Sequence, residues 1–264
     1  MIHKTAIVDK KAKISSDVSI GAFSIIGPDV NIESGTIIQS HVSIIGKTSI
    51  GKNNKIYSFS SIGNDPQDLK YKNEKTEIKL GDNNKIREYV TINPGTVGGG
   101  GITVVGDNCL FMVHSHIAHD CKIGNNVVLA NSVPVGGHAK IEDDVIIGGN
   151  SAVQQFTQVG KFSMIGGMCG VVKDIIPYSL VYGNRSILRG INIIGLRRKK
   201  VSNDKINILK DAYKYIFKNN EYMNNIKNLD KKFLDDQRVQ DIITFIKRDK
   251  KRPICTPFSS DESN

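Results

Sequence analysis

Four of the six histidines of the 264-residue chain, His114, His116, His119 and His138, fall within 25 residues. Stepping forward by 18 from His119 reaches Gly137 and then Gln155, with His138 and Gln154 beside that column. A neutral imidazole can take the proton from a hydroxyl as its oxygen attacks a thioester. The developing oxyanion then needs a fixed N–H donor, and a glycine backbone comes close enough to supply one. No serine or cysteine stands out as a nucleophile beside these histidines, so direct attack is simpler than a covalent intermediate. Zinc is the other chemistry open to such a cluster. His114 and His119 are five apart, a spacing similar to that in the γ-class carbonic anhydrases. A third histidine is then needed about two coils earlier, where Asn83 stands. Neither a metal nor a cofactor is expected.

A column spaced by 18 requires a rigid, periodic carrier, and the chain supplies one. From Val105 to Val171 every sixth residue is apolar without exception, through Ile117, Ile123, Leu129, Val135, Ile141, Ile147, Val153 and Ile165. The same step runs from Ile2 to Ile62, and a middle piece adds Leu80, Ile86 and Ile92. The residue four positions later is small or β-branched, as in Cys109, Ser115, Cys121, Val127 and Val133. A hexapeptide repeat indicates a parallel β-helix. One large and one small inward side chain per hexad suit a triangular prism whose faces recur every 18 residues. Glycine often follows the apolar residue, as at Gly106, Gly124, Gly136 and Gly148, and is read as serving tight corners. With coils about 4.8 Å apart the prism is roughly 40 Å long.

Two stretches break the ladder. Residues 64 to 79 are polar and skip two hexads, and residues 93 to 104 hold the run GTVGGGG and slip the phase by one. Both read as loops thrown out from a corner. The glycine run lacks the Lys-Ser/Thr of a P-loop, so a flexible loop is expected there. Repeat proteins place insertions on one side, often the binding side. The expected organisation is a β-helix over 1–177, a connecting segment over 178–200, a helical subdomain over 201–252 and a disordered tail over 253–264. Ser202 is the expected N-cap of the first of these helices.

Composition narrows the class. No apolar run approaches 20 residues, which excludes a transmembrane helix. The ladder begins at Ile2, leaving no room for a signal peptide, and a cytoplasmic protein is expected. The four cysteines have no CxxC spacing, and Cys109, Cys121 and Cys169 take inward slots. The formal net charge is +10, concentrated in residues 197 to 264 with 17 Lys and Arg against 10 Asp and Glu. Without interleaved aromatics or a recognisable motif this does not indicate nucleic acid. An acidic protein or a phosphorylated ligand fits.

The stretches HSHIAHDCKIGNNVVLAN and GGHAKIEDDVIIGGNSAVQQF resemble the acyl-[acyl-carrier-protein]:UDP-N-acetylglucosamine O-acyltransferases, as do QDLKY, REYVTINPGT and GNRSILRGINIIGLRRKK. The likeness spans almost the whole chain. It implies a left-handed parallel β-helix with a C-terminal α-helical subdomain. It also implies a homotrimer with sites between prisms, and the first step of lipid A synthesis. The acyl donor is then a 3-hydroxyacyl chain on acyl carrier protein and the acceptor UDP-N-acetylglucosamine. By that resemblance His119 is the general base, Asp120 orients it and the Gly137 N–H serves the oxyanion. Asp68, Lys70, His116, His138 and Gln155 match substrate-contacting positions, and Asn192 and Arg198 match residues that hold the nucleotide. Gly167 falls where the family limits acyl-chain length, and a glycine leaves room for a longer chain. Gln154, Ile194 and Lys199 depart from the family's usual His, acidic residue and Arg. Ile194 cannot accept a hydroxyl hydrogen bond, and lysine makes no bidentate phosphate contact. The competing readings are a 3-amino acceptor sugar, the N-acyltransferase of the same pathway, and a non-catalytic scaffold.

Overall fold

The computed structural model describes residues 1–249 and 251–257. Its body is a three-sided, left-handed parallel β-helix built from strands of two to five residues. The first face has nine strands, from Ile7–Val8 through His116–Ile117 and Pro134–Val135 to Gly170–Val171. The second has eight, from Lys13–Ile14 through Lys122–Ile123 to Gln158–Val159. The third has ten, from Ser19–Ile20 through Met164–Ile165 to a closing antiparallel pair, Ser179–Tyr182 and Ile187–Ile191.

The predicted register holds residue for residue: Ile117 pairs with Val135, and Val135 with Val153, which pairs with Val171. Each ladder residue is the inward member of its strand, and from Ile20 onward these side chains are buried. The small slots Cys109, Ser115, Cys121, Val127, Val133 and Ala139 are buried with them. Alternating bulk fills a cross-section too narrow for two large residues per strand.

The corners differ from the expectation. Their turning residues sit in the left-handed region but are mostly not glycine: Asp120, His138 and Phe156 follow the first face, Asn126, Asp144 and Phe162 the second, and Ser132, Asn150 and Met168 the third. The repeated glycines instead admit the neighbouring coil. A Cβ on Gly148 would lie 2.5 Å from the Gly167 nitrogen, and one on Gly136 2.7 Å from the Gln155 nitrogen. Coil spacing, not turn geometry, selects glycine there.

Both excursions leave the first face and rejoin the second, so they emerge from one edge. The first runs from Ile62 to Glu77 and the second from Ile92 to Ile102. One stacked coil later that edge carries His119 and Asp120.

Past the last coil, the connecting segment 178–200 is itself built of two strands and a short helix. The antiparallel pair extends the third face, because Ser179 and Ile191 can satisfy each other's backbone. Helix α1 (Ile193–Arg198) follows, then α2 (Asn203–Ile216), α3 (Tyr222–Lys227), α4 (Lys231–Leu234) and α5 (Gln237–Lys247). Ile206, Leu209, Ala212 and Ile216 of α2 pack inward with Val239, Ile242 and Ile246 of α5. Ser202 holds the N-cap position of α2 but makes no side-chain cap bond.

The expectation of a tail disordered from 253 fails for residues 253–257. Ile254 bridges to Asp174, the Leu188 N–H donates to Thr256, and Ile254 and Cys255 are buried. Two apolar side chains find an open seam between prism and helices there. Residues 258–264 lie outside the described residues.

Candidate active site

His119 stands at the end of a first-face strand, just before the corner residue Asp120. The Asp120 carboxylate is completely buried, and its Oδ2 lies 2.8 Å from His119 Nδ1. Its other partners are donors. The Thr96 N–H reaches Oδ1 at 2.9 Å and the Thr96 hydroxyl reaches Oδ2 at 2.7 Å. Nδ1 of His119 therefore carries the hydrogen and Nε2 the free lone pair. The imidazole is 12% exposed, enough for a hydroxyl to reach it.

Gly137 lies one coil above, as the spacing of 18 predicts. An ideal Cβ there would stand 2.7 Å from both Cε1 and Nε2 of His119. Among the described residues the Gly137 N–H meets no acceptor, whereas the flanking Gly136 and His138 N–H groups both do. A free donor thus stands beside the basic edge of an oriented imidazole.

His138 meets His119 edge-on, with ring centroids 5.0 Å apart, and its own ring stacks on Phe156 at 4.4 Å. Burial lowers its pKa below the ordinary histidine value, and Lys251, whose ammonium lies over Phe156, adds to that shift. Asp68, in the first excursion, is close enough to act in the opposite sense. His116 faces outward from the strand before His119, with Nδ1 2.7 Å from the Thr91 hydroxyl. Burial lowers its pKa too, and a proton on the neighbouring His119 would oppose its own protonation further. Two neutral rings therefore flank the His119–Asp120 pair.

His114 does not join them. It stacks on Tyr89 at 4.9 Å, at the top of a column Phe23–His41–Phe59–Tyr89 on the edge between the third and first faces. The five-residue spacing that suggested zinc carries it to a different corner. The remaining ligand group among the described residues is His119, Asp120 and His138, whose ligand atoms lie within 4.8 Å of one another. The carboxylate oxygen nearest both rings is already engaged by Thr96.

The other predicted residues are scattered within one chain. Lys70 is exposed in the first excursion, where its N–H donates to Asp68 Oδ1 at 3.0 Å. Gln155 is exposed at the His119 edge, and its carbonyl accepts from Arg252 Nε at 3.1 Å. Asn192 caps α1: its Oδ1 accepts from the Gly195 N–H at 3.0 Å and its Nδ2 donates to the Phe162 carbonyl at 2.9 Å. That places it, with the exposed Arg198, beside the edge between the second and third faces. Lys199 is held there by Asp144 at 2.8 Å, and Ile194 is 66% exposed. Gly167 precedes the next corner, and a Cβ there would come within 3.2 Å of the Gly149 carbonyl.

The glycine-rich excursion is an ordered part of the site rather than a flexible loop. Thr96 binds Asp120, and so does Thr103 of the strand into which the excursion runs, whose hydroxyl accepts the Asp120 N–H at 2.8 Å. Neither threonine was legible as functional. The signal available in the sequence was the placement of the glycine run on the same edge as His119.

Comparison with known proteins follows the geometry. Residues 174–255 match the family model described as UDP N-acetylglucosamine O-acyltransferase, domain 2, and residues 102–137 match the bacterial transferase hexapeptide model of six repeats. The acyl-[acyl-carrier-protein]–UDP-N-acetylglucosamine O-acyltransferase of Aliarcobacter butzleri is 45% identical over 93% of this chain and 94% of its own length. The enzyme of that name from Sulfurovum sp. is 46% identical over 95% and 96%. The solved structure of LpxA from Acinetobacter baumannii superposes with a TM-score of 0.92 at 44% identity, covering 96% of this chain and 99% of that one.

Proposed function

The chain belongs to the acyl-[acyl-carrier-protein]–UDP-N-acetylglucosamine O-acyltransferase family, and on that premise we propose how its own residues carry out the reaction. It transfers a 3-hydroxyacyl group from the thioester of acyl carrier protein to the 3-hydroxyl of UDP-N-acetylglucosamine, the opening step of lipid A synthesis. Nε2 of His119 removes the proton from the sugar hydroxyl as that oxygen attacks the thioester carbonyl. Asp120 holds the ring in the tautomer that leaves Nε2 free and stabilises the imidazolium that forms. The Gly137 N–H binds the oxyanion. Collapse of the tetrahedral intermediate expels the carrier thiolate, which takes the proton back from His119. The observation that carries this reading is the Gly137 amide, unpartnered among the described residues, beside the Nε2 edge of a carboxylate-oriented histidine.

A covalent thiol route does not fit. Burial pushes the Cys121 thiol up to about 12 and the Cys109 thiol up to about 11, and both point into the prism.

The acceptor and acyl-chain positions lie on other edges of the chain than His119, which supports a homotrimer whose sites form between prisms. Asn192 and Arg198 then hold the nucleotide, with Asp68, Lys70, His116, His138 and Gln155 lining the sugar and acyl path and Gly167 admitting a long chain. The outward residues support this arrangement: Ile7 and Ile25 on the first face, Ile37 on the third and Phe59 between them are exposed and apolar. The second face instead presents Lys13, Lys122 and Lys140 to solvent. The basic C-terminal region receives the acidic carrier protein, and the enzyme works in the cytoplasm. No helix among the described residues is long and apolar enough to cross a membrane.

The test is transfer from 3-hydroxyacyl carrier proteins of several lengths to UDP-N-acetylglucosamine and to its 3-amino analogue. His119→Ala should lower kcat/KM by about 10³-fold or more with the melting curve unchanged. Full activity in that variant would remove the mechanism.

A further inference from the structure

We propose that Thr96, delivered by the glycine-rich excursion, is a positioning residue that fixes the Asp120 carboxylate and through it sets the basicity of His119. The inference rests on the His119 mechanism above.

Asp120 is a completely buried carboxylate with no lysine or arginine ion-paired to it among the described residues. A buried charge of this kind must be met by hydrogen-bond donors. Thr96 supplies two of the three: its N–H and its hydroxyl, with the His119 Nδ1–H as the third. Thr96 also occupies the N-cap position of the short turn Val97–Gly99, where a threonine hydroxyl ordinarily satisfies the first amides. Here the hydroxyl makes no cap bond and turns to Asp120 instead.

The glycines make this approach possible. A Cβ on Gly99 would lie 2.0 Å from the Asp120 Cγ, and one on Gly95 2.0 Å from the Ile102 nitrogen. Only a loop stripped of side chains at these points can close onto the carboxylate. The glycine run is thus read as a clamp on the general base's partner.

The hydroxyl has a definite electrostatic effect. Each donor on the carboxylate spreads its charge and weakens its pull on the imidazolium. Removing one leaves a more basic carboxylate and hence a more basic His119. The other charged or titratable groups around the pair are His116, His138, Asp68, Asp249, Lys122, Lys140 and Lys251, none of which a Thr96 substitution removes.

Thr96→Val keeps the shape and the backbone N–H and deletes the hydroxyl. The expected result is a kcat about 10- to 100-fold lower with KM for both substrates within about twofold. The acid limb of the pH–rate profile should move up by about half a unit or more, because the His119 imidazolium is better stabilised. Thr96→Ser should restore both rate and profile. Titration of the His119 ring nitrogens by NMR should show the same upward shift without any turnover. That readout separates this inference from the reaction itself, which fails if the wild type does not transfer or if His119→Ala does at full rate. Should the valine variant not fold, Thr96→Ala carries the same expectations. An unchanged His119 titration, or a serine variant as impaired as the valine one, overturns the assignment.

Discussion

At the level of single residues, the site depends on where one missing Cβ lies. Gly137→Ala would place a methyl 2.7 Å from the His119 ring, closer than van der Waals contact allows. The ring must tilt away from the position in which Asp120 holds it. The expected outcome is a kcat lower by about 10²-fold with native secondary structure, measured by steady-state kinetics and circular dichroism. His138 offers a test of sign. Lys251 is among the causes holding its pKa down, so Lys251→Ala should raise that pKa, seen as an upward shift in its NMR titration. The column His119–Gly137–Gln155 was legible because an 18-residue period leaves no freedom in which residues stack. Thr96 was not legible, because an excursion has no period and its contacts depend on how the loop closes.

At the level of elements, the prism is a stack of nearly identical layers, each sealed by one large and one small side chain from every one of its three strands. Phe111 is among the largest of the fully buried side chains. Phe111→Ala should cost about 3–5 kcal/mol in denaturant unfolding, since adjacent coils cannot collapse into the void without breaking register. The hexad ladder predicted strand order, register and inward residues because each follows from one repeat length. It misassigned the glycines, since a sequence cannot distinguish a residue needed for positive φ from one needed for a close neighbour. It also missed the Ser179–Ile191 pairing and the packing of Ile254 and Cys255, where the repeat has ended and contacts are set by which surfaces remain open.

At the level of the whole molecule, two properties follow from how the faces differ. The first concerns assembly. Exposed Ile37 and Phe59 lie on the faces that the trimer reading buries, so Ile37→Asp combined with Phe59→Asp should yield monomers in sedimentation and lose transfer activity. Retained trimers with full activity would count against that reading. The second concerns acid. His116 and His138 both have folded pKa values below the ordinary histidine value of about 6.5, so the unfolded chain binds protons that the folded one does not. Their contribution to stability is complete above the unfolded value and is lost as pH falls through the folded ones. Melting temperature should therefore drop below about pH 6.5, and less so in a His116→Gln His138→Gln double variant.

The shared edge from which both excursions emerge separates two tasks that most folds entangle. Layers carry the load of folding, while one seam alone can lengthen, shorten or exchange its loops without altering any pairing above or below. A lineage in need of a new acyl donor or sugar could therefore retool that seam piece by piece, with its scaffold left unchanged.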